Sequence, residues 1–396
     1  MSGHRFRIES TMGVGGGNII SAESQRNLEI AETLCNRRKP EQALQYLFRA
    51  MEDENTLDTF IQFAFLHHLP EAVKVLEDAK RKGRASLKRC LGNDCFDDDS
   101  EYVGHFYEVL TTRPYMRVLQ AQVRLYFENG QYAESAKTIT EMLRLCPGDN
   151  LGQRAWLGSM LLLTKHYSDA LSFCQRWPDH DRLTVIPRGG AAFKTPSSTC
   201  YDVEVENKIL RCGNGAMAYN AAVAAFRVFG DGEFARQYLR IAAKINPIIL
   251  TKILAKEGFD NLPGTHNGPE DARDYLFVTQ DVWIKDDAWE WANASQEAES
   301  NVIKVCGNSA CGAVETQVAQ FKRCAACKKV VYCSQPCQRS DWSKHKPRCQ
   351  QHQEMKNTIR AIYNGRTLPA GAVPTYSADF VGGGVAVTEH VGFGDD

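Results

Sequence analysis

Gly130-Gln-Tyr-Ala-Glu-Ser-Ala136, running on to Met142-Leu143-Arg-Leu145-Cys-Pro147, is the stretch on which the fold turns. Its small and apolar positions fall three and four residues apart, so they share one face of a helix. A glycine opens the run and a proline closes it, as expected of the second helix in a helix–turn–helix unit. The same order returns at Trp156-Leu157-Gly158, Leu161, Tyr167, Ala170 and Cys174, and again at Tyr219, Ala222, Phe226, Ala235, Leu239, Ala242 and Pro247. Upstream, Pro40-Glu-Gln-Ala43 with Leu47 and Ala50, and Pro70-Glu-Ala72 with Leu76 and Ala79, read as two more second helices. Each of these has proline in its first turn, where the missing N–H costs nothing.

Tyr132 and Tyr167 lie 35 residues apart. This order and spacing resemble the tetratricopeptide (TPR) repeat, whose period is about 34 residues. In such a unit small residues let paired helices approach, large ones fill the gap to the next pair, and stacking buries faces that no pair can bury alone. The fold class expected is therefore mainly α: a TPR-like α-solenoid over residues 21–300, interrupted by insertions at 81–114 and 177–214. Asp94-Cys-Phe-Asp-Asp-Asp99, Val103-Gly-His-Phe106 and Thr112-Arg-Pro-Tyr-Met-Arg117, with Gly268-Pro-Glu-Asp-Ala272 and Trp289-Glu-Trp291, also resemble a family of TPR-containing proteins of no assigned chemistry. Residues 1–20, with Gly13 and Gly15-Gly16-Gly17, read as a flexible leader. No strand precedes that glycine run and no Lys-Ser/Thr follows it, which excludes a phosphate loop.

Composition narrows the function. The 396 residues are 43% hydrophobic and 24% charged, with 47 Lys and Arg against 48 Asp and Glu. That balance argues against a general nucleic-acid binder. Apolar stretches are too short for a spanning helix. The N-terminus lacks the apolar core of a secretion signal, so an intracellular address, cytoplasmic and/or nuclear, is expected. Seven of the 14 cysteines fall between Cys306 and Cys349. Clustering in an intracellular chain points to metal rather than disulfides.

That cluster reads Cys306-x4-Cys311-x12-Cys324-x2-Cys327-x5-Cys333-x3-Cys337-x7-His345-x3-Cys349. Eight ligands in four close pairs make two complete tetrahedral sets for two structural Zn²⁺ ions, with no position left for an activated water. So small a segment would draw its folding free energy from the metal. Val331-Tyr-Cys333-Ser, Cys337-Gln, Asp341-Trp and His345-Lys with Cys349 resemble a MYND zinc finger, placed at residues 301–350; the first pair is x4 apart where the family usually has x2. The resemblance implies interleaved ligation: Cys306, Cys311, Cys333 and Cys337 on zinc 1, and Cys324, Cys327, His345 and Cys349 on zinc 2. Spacing alone allows a sequential arrangement as well. The resemblance further implies a shallow groove that takes proline-containing peptides as an added strand, with Ser334, Gln338 and Trp342 as its peptide-binding residues; alternatively Trp342 packs on the zinc core. Between Cys306 and Cys349 the finger carries eight Lys and Arg against Glu315 and Asp341. Two zinc ions and seven thiolates bring its charge to about +3, too little for a phosphate-tracking stripe.

Other constellations read as ordinary structure. Cys90, Cys95 and His105 lack a fourth ligand. Asp97-Asp98-Asp99 lacks the glycine and glutamate of a calcium loop and reads as solvated. His67-His68 reads as structural. Gln120, Arg124, Trp156, Asn220 and Ala224 do not reproduce the Lys/Asn set with which TPR arrays clamp a chaperone's C-terminal carboxylate, although the repeats could hold another extended segment. Residues 351–396 read as a short helix (355–363) and a disordered tail. The function expected is a protein-interaction adaptor and not an enzyme. A transcriptional or chromatin cofactor is the alternative. A MYND-containing lysine methyltransferase relative is disfavoured because no SET-type Asn-His-Ser-Cys segment is present, and a DNA-binding factor is disfavoured by charge.

Overall fold

The computed structural model describes residues 20–53, 55–176, 186–255, 269–285, 287–363, 372–381 and 384–393, the last two as backbone only. Residues 1–19, the leader's glycine run among them, lie outside the described residues, as does the start of the second insertion. Among the described residues no helix is long and apolar enough to cross a membrane. The chain divides into two compact units, Met1–Ser197 and Ser198–Asp396. The protein is mainly α, and a small two-zinc finger follows the helices.

The first unit is built from α1 (Ala22–Asn36), α2 (Pro40–Met51), α3 (Leu57–Ala64), α4 (Leu69–Leu91), α5 (Arg113–Glu128), α6 (Tyr132–Leu145), α7 (Arg154–Leu163) and α8 (Tyr167–Gln175). Each helix packs chiefly on its neighbours in sequence. Local chemistry sets the boundaries. Ser21 Oγ accepts from Ser24 N–H to cap α1, and prolines open α2, α4 and α5. Asp149, held in the left-handed region, receives the N–H groups of Gln153 and Arg154 at 2.7 and 2.8 Å and so starts α7. Along α6 the buried residues Ser135, Ala136, Ile139, Met142 and Leu143 form one stripe, and Ser135 Oγ donates to Val123 O to tie α6 to α5. Gly83 lets α4 pass close to its neighbours: a Cβ there would sit 2.8 Å from Leu57 Cδ1 and 3.0 Å from Tyr115 Cδ2.

The span expected as an insertion at 81–114 is more regular than its composition suggested. Residues 81–91 continue α4, because a charged, solvent-facing half does not stop a helix whose other half buries Leu76, Ala79, Gly83 and Leu87. Residues 92–109 follow as turns fastened by the buried Phe96 ring, which meets both Phe106 and Tyr115. The acidic run there is not simply solvated. Asp98 accepts from Arg144 at 2.7 Å and from Arg188, and Arg144 also reaches Phe96 O.

The second unit begins with α9 (Val203–Cys212), capped by Asp202, and α10 (Gly215–Phe229), capped by Asn214. It continues with α11 (Glu233–Ile245), α12 (Pro247–Leu254), α13 (Pro269–Ile284), α14 (Ala288–Asn293) and α15 (Gln296–Glu299). Its core is aromatic. Trp283 is fully buried and donates to Tyr275 Oη, while Trp291 stacks on Phe226 with centroids 4.5 Å apart and donates to Asp231.

The finger contributes the strands β1 (Lys322–Arg323) and β2 (Val331–Tyr332), then α16 (Gln335–Tyr363). The helix expected at 355–363 is thus the end of one helix that starts inside the finger. Where the sequence suggested a disordered tail, β3 (Ala372–Val381) and β4 (Gly384–Phe393) pair antiparallel, from Ala372 opposite Phe393 to Val381 opposite Gly384. The physical reason is legible in the sequence: two runs rich in Val, Thr, Tyr and Phe flank a glycine pair, which is a hairpin pattern that overall Gly/Pro/Ser content conceals.

Candidate metal centre and interaction face

The finger is assembled from two knuckles and one helix. In the first knuckle Cys306 N–H donates to Ala313 O at 2.8 Å, Val305 bridges Val314, and Cys311 N–H closes on Asn308 O. The four residues between Cys306 and Cys311 are accommodated in this turn. In the second, Cys324 N–H donates to Val330 O and Lys328, in the left-handed region, donates to Cys324 O, so that Cys324 and Cys327 face inward. On α16 the residues Cys337, Asp341, His345 and Cys349 recur every four positions and form the inward face.

These elements bring the eight residues into two quartets. Cys306, Cys311, Cys333 and Cys337 have their ligand atoms within 4.8 Å of one another, and so do Cys324, Cys327, His345 and Cys349. Each quartet takes one pair from a knuckle and one from the β2–α16 segment, so the two sites interleave. Sulfur pairs stand 3.6 Å (Cys311–Cys333), 3.5 Å (Cys333–Cys337) and 3.9 Å (Cys324–Cys349) apart, and Cys327 Sγ is 3.4 Å from His345 Nε2. A tetrahedron of Zn–S bonds near 2.3 Å has edges of about 3.8 Å, so the donor sets fit zinc in both number and spacing. The second quartet is buried throughout; Cys311 in the first is exposed.

Proton affinities point the same way. Burial works to raise the Cys324 thiol, but N–H groups of Cys327 and Ala326 and the His345 ring outweigh it and bring it to about 6. Burial and the neighbouring Cys324 push Cys349 up to about 11. In the other quartet the Ser334 hydroxyl, with Cys333 and Cys311, lowers Cys337 to about 7, whereas Cys333, beside Cys337, rises to about 12. The first thiolate in each set opposes the next, and a divalent cation removes that opposition. Held by these residues, zinc would cross-link the knuckles to α16 and supply folding free energy.

Four residues outside the quartets complete the site, and ligand spacing does not disclose them. Glu315 is buried and accepts from Lys304 N–H at 2.9 Å and Phe321 N–H at 2.7 Å, pinning the loop between the knuckles. Asp341 accepts from Tyr332 Oη at 2.8 Å, fastening α16 to β2. At Gly307 a Cβ would overlap Val330 Cγ1 and stand 3.1 Å from Val331 O. A usable signal existed for the acids: they are the only two in a segment rich in Lys and Arg.

Of the residues expected to contact a peptide, Trp342 is 40% exposed on α16, with Gln338 half-buried one turn before it. Ser334 is exposed but engaged: its hydroxyl accepts Cys337 N–H and caps α16. The β1–β2 sheet has two strands. Gly307 N–H takes Val331 O on the β2 side, leaving the outer edge of β1.

Residues 305–349 match the family model for the MYND finger. The chain carries a MYND finger. Such fingers are protein-interaction modules. The similar relatives include an F-box protein of Arabidopsis thaliana, 39% identical over 15% of this chain and 18% of its own. SET domain-containing protein 14 of Caenorhabditis elegans is 44% identical over 14% of each chain. The MYND-type zinc finger protein MUB1 of Saccharomyces cerevisiae is 31% identical over 18% of this chain and 12% of its own. The matched segment thus spans less than a fifth of each of these relatives. No solved structure matches the chain significantly.

In the first unit a cleft of about 370 Å³ lies between α3, α5 and α7. Gln120, Arg124 and Trp156 line it, together with Asp58, Phe65 and Arg117. Most of its charged and amide groups are already used. Arg117 makes two hydrogen bonds to Asp58, of 2.7 and 2.6 Å, Arg124 pairs with Glu128 over the Phe65 ring, and Gln120 donates to Leu151 O. Asn220 and Ala224, the other two positions compared with a carboxylate clamp, are fully buried in α10.

Proposed function

We propose that this protein is a zinc-stabilised adaptor that works by binding rather than catalysis. Its MYND finger recruits proline-containing segments of other proteins, and its TPR-like helices offer a second surface for an extended partner. The observation that carries this reading is Trp342: a large aromatic side chain left 40% exposed on the helix that both quartets anchor. A Trp face receives proline or leucine well, and the free edge of β1 can add a strand, so backbone pairing would give affinity and the aromatic pocket selectivity. Both ligand sets are closed, which suits a structural role for zinc.

The test is a titration of the zinc-loaded chain with a labelled Pro-x-Leu-x-Pro peptide and its scrambled control, repeated with Gln338→Ala and Trp342→Ala. Sequence-dependent binding that falls about tenfold or more in Trp342→Ala, with two zinc ions retained, is the expected result. Equal binding of the peptide and its scramble would remove the peptide-recruiting role.

A further inference from the structure

The finger's surface charge has one sign. All eight Lys and Arg residues between Cys306 and Cys349 are exposed, and none makes an ion pair among the described residues. Its two acids are spent inside: Glu315 on Lys304 and Phe321 N–H groups, Asp341 on the Tyr332 hydroxyl. The negative charge of the thiolates is held in the quartets, where Cys311 alone is exposed. What a partner meets is therefore cationic, although the net charge is only about +3.

The placement of these cations is specific. On α16, Lys346 lies four residues after Trp342 and Arg339 three before it, and residues at those spacings are neighbours on one helix face. All three are exposed. The edge strand β1 is itself Lys322–Arg323, both exposed. Lysines on an edge also stop two copies from pairing edge to edge, but that purpose does not call for cations on both sides of a helical Trp.

Resting on the peptide-binding reading above, we propose that the finger selects proline-containing segments flanked by anionic side chains, those of Asp, Glu or phosphorylated residues. The proline anchor would sit on Trp342 while flanking carboxylates or phosphates meet Arg339, Lys346 and the β1 cations. Acidic or newly phosphorylated motifs would then be preferred over neutral ones, so a kinase acting on the partner could control recruitment.

The experiment uses the full zinc-loaded chain and three peptides: Pro-x-Leu-x-Pro flanked by Glu, the same flanked by Gln, and a scrambled Glu-flanked version. The Glu-flanked peptide is expected to bind about fivefold more tightly than the Gln-flanked one at low salt, as two or three exposed ion pairs allow. That gap should shrink below about twofold near 0.5 M salt, where screening is short-ranged. The double variant Arg339→Gln, Lys346→Gln should narrow the gap while leaving the Gln-flanked affinity and zinc content unchanged. Equal affinity for the Glu- and Gln-flanked peptides overturns this proposal and leaves the groove intact. So does a scrambled peptide, or an oligonucleotide of equal charge, that binds as tightly as the Glu-flanked motif. Failure of both proline peptides overturns the groove reading, and this one with it.

Discussion

Glu32, on α1, is a residue whose environment works against its charge. Its Oε1 is buried without a hydrogen-bond partner. Burial, with Asp58 and Glu29 nearby, raises its carboxyl from the usual 4.5 to about 7, despite the opposing Arg117. A raised folded-state value means the folded chain holds the proton more tightly than the unfolded one. Stability from this group is therefore complete below about pH 4.5 and is lost as pH rises through 7. Glu32→Gln keeps the shape and removes the titration. With allowance for the solvent still reaching the carboxylate, the variant should be more stable than the parent by about 1 kcal/mol at pH 8 and indistinguishable at pH 4.5. Denaturant unfolding of the helical signal at the two pH values checks this; the same offset at both would show that packing, not ionisation, sets the difference.

Element boundaries were legible wherever local chemistry writes them. Pro40 and Pro70 mark helix starts, Pro247 marks the end of the helix before it, and the stripe after Tyr132 marks a helix, because each needs only its own turn of chain. What escaped the sequence is what distant residues supply. The start of α12 is the clearest case: Asn246 Oδ1 accepts Ile248 N–H, while Leu250 N–H is received by the fully buried hydroxyl of Tyr219, which donates in turn to Asn246 O at 2.9 Å. One helix is thus capped by the side chain of another, and no spacing rule reports it. Tyr219→Phe should take the acceptor from the buried Leu250 N–H, leaving Asn246 O with the Ile249 N–H at 3.3 Å, and cost about 1–3 kcal/mol. A loss within about 0.3 kcal/mol of zero in urea unfolding would contradict that role. In the finger the ligand pairs were legible for the same local reason, whereas Gly307, Glu315 and the Tyr332–Asp341 bond join segments that only the folded finger brings together. The β3–β4 pairing and the run of α4 past residue 81 were hidden by composition, which averages over the alternation and the buried stripe that decide each element.

At the scale of the whole molecule two kinds of stability coexist. The helices bury conventional apolar cores, such as Ala43, Leu47 and Ala50 on α2 or Tyr238, Leu239 and Ala242 on α11. The finger's buried cluster is largely its own ligands, Cys306, Cys324, Cys327 and Cys349, with Phe321 and Tyr332. Such a core depends on the metal, so Cys327→Ser should lose the second zinc and the finger's fold while the helical circular-dichroism signal falls only slightly. Collapse of both would show that the helices depend on the finger. The measurement that reaches furthest follows the Pro-x-Leu-x-Pro peptide on the full chain through a zinc cycle: two ions bound, chelated, then restored. The account predicts binding with two zinc ions per chain, none after chelation although the helices persist, and recovery when zinc returns. Binding that survives chelation, or is absent with both ions in place, would contradict a metal-held finger that recruits proteins.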